Sequence, residues 1–333
     1  MTRIRWSSVA LTLAVLLVTD NCTHAADRLR IGVQYGLAYL PFYVGERDNL
    51  FEQAFAAHGL SGVQMDLVRF SGPPALNEAL LSGHVDMAIY GTPALVITWD
   101  RTRGTTSEVI GVAGIVTMPY SMVTLRPGLR TLTDIDANDR IATPSTISAC
   151  PYTLRMLAER RLGRANAFDE QLVAMPNPDA LVALLKRTEV TAICTTPPFT
   201  DYAMRQPGAH RVLSSVDVFA GPSTSFVLVA SRRYADLHPN LVEAVIAALD
   251  AANATIAREP RRAADIYLSN EPSKVFDAAF ITTLLLDGEH RFNTDVLGIM
   301  TYVDYLGRHS LIKRRPTTWK DLFLPAIHGR EGS

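Results

Sequence analysis

One pattern constrains this chain more than any other: a β-α-β-α-β-α alternation with short loops runs once and then restarts. In the first pass, apolar runs over 29–34, 63–70 and 85–90 read as strands. Helical periodicity over 40–47, 50–58 and 73–81 fills the gaps, and Gly91-Thr92-Pro93 opens a further helix through Asp100. Gly59 is a natural helix stop, and Pro73-Pro74 sits where a first helical turn needs no N–H. The second pass places strands at 140–143, 171–175 and 190–194 and helices at 151–162, 180–187 and from Pro197-Pro198 to about 205. Strands over 109–117 and 121–125 lie between the passes, broken at Met118-Pro119-Tyr120. A strong strand over 224–230 follows Gly221-Pro222. Helices over 239–258, 261–268, 273–286 and 294–307 come next, with an amphipathic turn at Trp319–Phe323 that packs on a lobe. Alternation at this spacing predicts an α/β fold of mostly parallel sheets wound by helices. The chain is expected to leave the first unit near 117–121 and return near 220–225. That gives lobe 1 over 26–118 and 222–333 and lobe 2 over 119–221.

Composition narrows the function classes. The chain has 32 Lys+Arg against 33 Asp+Glu and is 48% hydrophobic, so it is no disordered segment. The near-zero balance gives no electrostatic basis for nucleic acid as a partner. Only Lys186, Lys274, Lys313 and Lys320 are lysines, which removes a phosphate-binding loop and restricts Schiff-base chemistry to those four. G-x-S-x-G, H-E-x-x-H, C-x-x-C and G-x-G-x-x-G are absent from the sequence. His58, His84, His210 and His328 are scattered through polar surroundings without metal spacing. No catalytic residue, no metal and no cofactor is therefore expected.

The N-terminus reads as an address. Arg3 and Arg5 precede an apolar run over 9–18, and Thr23-His24-Ala25 supplies small residues at the −3 and −1 positions of a cleavage site. That is the three-part pattern of a signal peptide over 1–25, which places the mature chain outside the cytoplasm. Thr19-Asp20-Asn21 lacks the small and aliphatic residues of a lipobox, so Cys22 is not read as a lipid anchor. In an exported chain, Cys150 and Cys194 fit both a disulfide and two buried thiols.

Ligands of open α/β sheets sit beyond the carboxyl ends of strands. The strand-to-helix loops there are Tyr35-Gly36-Leu37, Ser71-Gly72, Gly91-Thr92, Ser145-Thr146-Ile147-Ser148, Pro176-Asn177 and Thr195-Thr196. Each ends at a helix N-terminus, where free N–H groups favour anions, and hydroxyls add donors. Plain capping explains any one such loop. Six in two matched units point to a small-molecule site. None holds an Arg or Lys; Arg69, Arg126 and Arg155 are the nearest cations in sequence.

The runs LRIGVQYGLAYLPFYVGERD (29–48), SGPPALNEALLSGHVD (71–86) with 87–93, IATPSTIS and TAICTTPPF carry a resemblance. They look like the periplasmic solute-binding proteins of nitrate/sulfonate/taurine-type ABC transporters, a family that includes binders of a thiamine pyrimidine precursor. The resemblance covers almost all of the mature chain. It implies a two-lobed, hinged type II binding protein that closes on a small organic ligand, anionic or aromatic, and delivers it to a permease and its ATPase. It implies a monomer. By that resemblance the ligand contacts would be Tyr35, Gly36, Leu37, Gly91, Thr92, Met118, Ser145, Thr146, Ser148, Thr195 and Thr196, with Gly72 a further member. Tyr35, Tyr39, Phe42, Tyr90 and Tyr120 suggest a site that could stack on a ring; a place in the core accounts well for Phe42 and Tyr90 and less well for Tyr35 and Tyr120, which sit in loops. Two rival readings share the fold: an enzyme like thiamine-pyrimidine synthase, and a ligand-sensing partner of a membrane receptor. Against the enzyme stand the missing Cys cluster and the missing Lys in the first 185 residues.

Overall fold

The computed structural model describes residues 28–219 and 221–333. The signal peptide expected over 1–25, and Cys22 within it, lie outside the described residues. The apolar runs of the first pass become β1 (Arg28–Val33), β2 (Gln64–Arg69), β3 (Met87–Gly91) and β4 (Val109–Thr117). The second pass yields β5 (Ser121–Thr124), β6 (Ile141–Thr143), β7 (Leu172–Ala174), β8 (Ala192–Thr195) and β9 (His210–Ser214). Then follow β10 (Thr224–Ser231) and β11 (Arg291–Phe292).

Two sheets result, ordered β11-β4-β10-β3-β1-β2 and β7-β6-β8-β5-β9. In the first, β1, β2, β3 and β4 share one direction, and β10 is inserted antiparallel between β3 and β4. In the second, β6, β7, β8 and β9 share a direction and β5 runs against them. Most strands in each sheet share a direction, but the sheets are mixed rather than mostly parallel as expected: three of five pairings in the first and two of four in the second are antiparallel, because β10, β11 and β5 run against their neighbours. In each, the strand that a chain crossing delivers (β5 outward, β10 on return) runs against its neighbours. The chain passes from the first sheet to the second at Met118-Pro119-Tyr120, between β4 and β5, and returns to the first between β9 and β10.

Several boundaries differ from the sequence reading for identifiable reasons. The strand β9 was not anticipated: its sequence HRVLS is short and polar, and it forms because antiparallel pairing with β5 covers the sheet edge. The helix expected over 273–286 starts at Ala278. There the Asp277 carboxylate accepts from the Phe280 N–H, while the Ser273 hydroxyl holds the Val275 and Phe276 N–H groups in a turn. The helix expected over 180–187 starts earlier, at Asn177, with Pro178 in its first turn. That shift places Asn177 at the head of the helix, facing the other lobe.

The first lobe holds the larger core. All nine residues of β4 are buried, and the helices Pro239–Arg258, Pro260–Asn270, Ala278–Leu286 and Ile299–Arg308 belong to this lobe. By length and composition Pro239–Arg258 could cross a membrane, but Leu241, Val245, Leu249, Ala252 and Ile256 are buried within the lobe. The C-terminal turn docks on β4, where the Leu324 N–H donates to the Gly111 carbonyl at 2.9 Å. A Cβ at Gly111 would lie 2.4 Å from the Phe323 ring, so this close approach requires glycine.

Candidate functional site

A cavity of about 300 Å³ opens between the two sheets. From the first lobe its walls take Tyr35 beyond β1, Gly91 at the end of β3, and Pro73, Leu76 and Asn77 on the helix Pro73–Leu81. From the second they take Ser145 and Ser148 beyond β6, Asn177, and Thr195 and Thr196 at the end of β8. Tyr120, in one crossing segment, closes the floor with Phe226 of β10. The Tyr39, Phe226 and Tyr120 rings form a run with centroids 6.1 Å apart at each step. The Tyr120 hydroxyl donates to the Ser225 carbonyl at 2.6 Å, so this residue offers the cavity a fixed ring rather than a free hydroxyl.

Of the residues expected at the site, Tyr35, Gly91, Tyr120, Ser145, Ser148, Thr195 and Thr196 line this cavity together. Gly36, Leu37, Gly72, Thr92, Met118 and Thr146 do not. The Leu37 side chain is buried, and its N–H reaches across to the Pro197 carbonyl at 3.2 Å. A Cβ on Gly72 would lie 3.8 Å from the Pro144 carbonyl of the other lobe, so Gly72 sits where the lobes meet. The Thr92 hydroxyl donates to the Thr224 carbonyl at 2.5 Å inside the first lobe. Met118 lines a separate cavity beside the crossing segments. Thr146 is exposed, and its carbonyl accepts from Arg155.

Cys150, in the first turn of the helix Ala149–Leu162, and Cys194 on β8 form a disulfide that is part of the cavity wall. The three arginines nearest the loops are all engaged elsewhere. Arg126 pairs with Asp136 and Asp139, and Arg155 with Asp169. Arg69 lies behind Tyr35, with its guanidinium carbon 4.8 Å from the ring centroid. It donates to the Gln34 carbonyl at 2.7 Å and to the Tyr43 hydroxyl at 2.9 Å. Arg101 also lines the cavity, from the exposed rim.

A residue that no local pattern announced holds the first loop in place. The buried Glu271 carboxylate accepts from the Gly36 N–H at 3.0 and 3.1 Å, the Tyr43 hydroxyl at 2.7 Å and the Tyr267 hydroxyl at 2.9 Å. An Arg69 nitrogen lies 3.5 Å away. Burial pushes the carboxyl above the usual carboxylate range, against the pull of hydrogen bonds from Tyr43 and Gly36 and of the Arg69 charge. Tyr39 and Tyr90, two of the aromatics expected to offer a stacking surface, also line the cavity, and Asn77 and Phe226 are further wall residues that were not expected at the site. Asn77 was legible in principle: it lies four residues after Pro73, on the same helix face. Phe226 was not, because β10 reaches the cleft only through long-range pairing.

The lobes also touch outside the cavity. Glu159 of the second lobe accepts from Arg308 at 3.1 Å and pairs with the His309 ring at 2.9 Å, both in the first lobe. Phe276 packs edge-on to Phe199 and Tyr202.

The model of the NMT1-like family matches residues 24–267. No curated protein matches the sequence. Among solved structures, the alkanesulfonate-binding protein SsuA from Xanthomonas axonopodis pv. citri, bound to MOPS, is 21% identical with a TM-score of 0.68, covering 90% of this chain and 97% of that one. The aliphatic sulphonate binding protein SsuA from Escherichia coli is 18% identical with a TM-score of 0.65, covering 90% and 92%. The periplasmic nitrate-binding protein NrtA from Synechocystis PCC 6803 is 12% identical with a TM-score of 0.61, covering 78% and 70%. At these identities the likeness is one of fold: two lobes around a cleft.

Proposed function

Since the chain belongs to the NMT1-like family and has the two-lobed periplasmic binding fold, we propose that it is the extracytoplasmic solute-binding component of an ABC importer. It captures a small organic ligand in the cleft by hinge closure and passes it, as a monomer, to a membrane permease and its ATPase. The observation that carries this reading is one cavity walled by loop residues of both sheets. A ligand there makes its full set of contacts only when the lobes are together, so binding shifts the open–closed population. The lobes divide at 26–118 with 222–333 and at 119–221, and the Met118 and 215–223 segments act as the hinge. Tyr35, Gly91, Tyr120, Ser145, Ser148, Thr195 and Thr196 contact the ligand. Gly36, Leu37, Gly72, Thr92, Met118 and Thr146 shape the loops and the lobe contacts. Binding requires no covalent step, and the protein is not an enzyme.

Thermal denaturation with a panel of sulfonates, carboxylates, pyrimidines and nitrate tests this reading. A ligand at 100 times its dissociation constant stabilises by about 2.7 kcal/mol, and small-angle scattering should show a more compact particle. Turnover of a substrate with no stabilising ligand in the panel would overturn the reading.

A further inference from the structure

We infer that Asn77 and Asn177 are a pair of amide donors, one from each lobe, that select an aromatic ligand carrying carbonyl or carboxylate oxygens; the inference rests on the cleft being the ligand site. A side-chain amide has one acceptor oxygen and two N–H donors. In both residues a hydroxyl takes the oxygen. The Tyr90 hydroxyl donates to Asn77 Oδ1 at 2.8 Å, with the Thr98 hydroxyl 3.5 Å from the same atom. Across the cleft, the Thr195 hydroxyl donates to Asn177 Oδ1. Each hydroxyl has one proton to place, and reversing either amide would leave that proton without its acceptor. Among the described residues no protein acceptor takes either Nδ2. Both side chains are half-buried and line the same cavity. Four N–H donors in a largely apolar enclosure therefore await an acceptor that the protein does not supply.

The rest of the wall fixes the other half of the ligand. Tyr39, Tyr90, Tyr120 and Phe226 present aromatic surface, with Leu76 and Ile97 beside them. A small bare anion would leave that surface wet, whereas a ring covers it. The interior offers neutral donors, and the cation of the wall, Arg101, lies at the exposed rim. Neutral N–H donors of this kind can donate to an uncharged carbonyl as well as to a carboxylate.

The test measures dissociation constants of benzoate, acetophenone, taurine and nitrate for the wild type, Asn77→Asp and Asn177→Asp. Aspartate keeps the acceptor for the Tyr90 or Thr195 hydroxyl and removes the N–H donors, so each ligand-free variant should melt close to the wild type. The wild type should bind both ring compounds more tightly than taurine or nitrate. Each substitution should weaken benzoate and acetophenone at least tenfold. Acetophenone is neutral and only accepts, so a loss seen with benzoate alone would mean charge repulsion and would overturn the inference. Failure of both ring compounds to bind the wild type would overturn it as well. Binding of taurine or nitrate in that case would leave the solute-binding reading standing; turnover without any stabilising ligand would remove both.

Discussion

The two walls of the cleft come from the same strand-loop-helix plan, yet they are held by different chemistry. In the first lobe, the loop after β1 is fastened by a buried polar network: Glu271 grips the Gly36 N–H, and Arg69 backs Tyr35 and Gln34. In the second lobe the Cys150–Cys194 bond ties a helix start to the end of β8, and the neighbouring loops carry short hydroxyl side chains. A charge network answers to pH and to the loss of one partner. A covalent tie answers to reductant. The walls should therefore be separable by experiment, with one loosened while the other stays intact.

The largest effect is expected at Glu271. Replacing it with Ala leaves the Gly36 N–H and the Tyr43 and Tyr267 hydroxyls without their acceptor and Arg69 without its counter-charge. Breaking a buried pair in this way costs about 3–5 kcal/mol. Glu271→Gln should recover only part of that, because its NH₂ group faces groups that all donate. Urea denaturation measures both. An Ala variant as stable as the wild type would mean that the network does not hold the first wall.

Next comes the disulfide. Its partners are 44 residues apart in sequence, and removing a cross-link of that span costs about 2–4 kcal/mol, chiefly through the unfolded chain. Replacing both cysteines with Ser, or reducing the wild type, should lower the melting temperature and leave Glu271→Gln behaviour unchanged on top of it. The two losses should add, since the sites sit in different lobes. Marked non-additivity would show that the walls are not independent.

The contrast also explains which parts of the molecule could be read from its sequence. The second wall was largely legible: hydroxyls and both cysteines stand beside their own strands, within local reach of the β-α pattern. So was Tyr35. The support of the first wall was not, because Glu271 lies 235 residues from Gly36 and reaches it only after the chain has crossed to the second lobe and returned. Phe226 was hidden for the same reason. The strand pattern carried the two sheets, but HRVLS at β9 has too few apolar residues to stand out before β5 is there to pair with it. Thr92 and Leu37 were drawn to the site by position in a loop. In the folded chain one hydroxyl is spent on the Thr224 carbonyl, and the other side chain turns inward.

A smaller effect is expected from pH. Burial raises the Glu271 carboxyl above its unfolded value, so the folded protein binds that proton more tightly than the unfolded chain. This contribution is fully present below the ordinary carboxylate range near about 4.3 and is lost as the pH rises through the raised folded value. Acidifying from neutrality towards pH 5 should therefore stabilise the wild type relative to Glu271→Gln. A gap between the two that narrows on acidification would mean that Tyr43, Gly36 and Arg69 outweigh the burial.

The smallest effect concerns the contact that joins the lobes outside the cleft, where Glu159 meets Arg308 and His309. Burial opposes ionisation of this carboxyl, but the hydrogen bonds from Arg308 and His309 win and hold it below the usual range. Its sign is opposite to that of Glu271: the stabilisation exists above the ordinary carboxylate range and fades as the pH falls through the lowered folded value. The pair lies at the surface, with Glu159 half-buried and Arg308 exposed, so an exchange of Glu159 to Gln should cost no more than about 0.2–1 kcal/mol, less in high salt. Its position matters more than its size. A pair that bridges the lobes stabilises only the closed arrangement, so Glu159→Gln should shift the open–closed balance while barely moving the melting of either core. Small-angle scattering of the ligand-free protein reads that shift directly. A variant that melts lower without any change in compactness would place Glu159 among the ordinary surface charges of the second lobe.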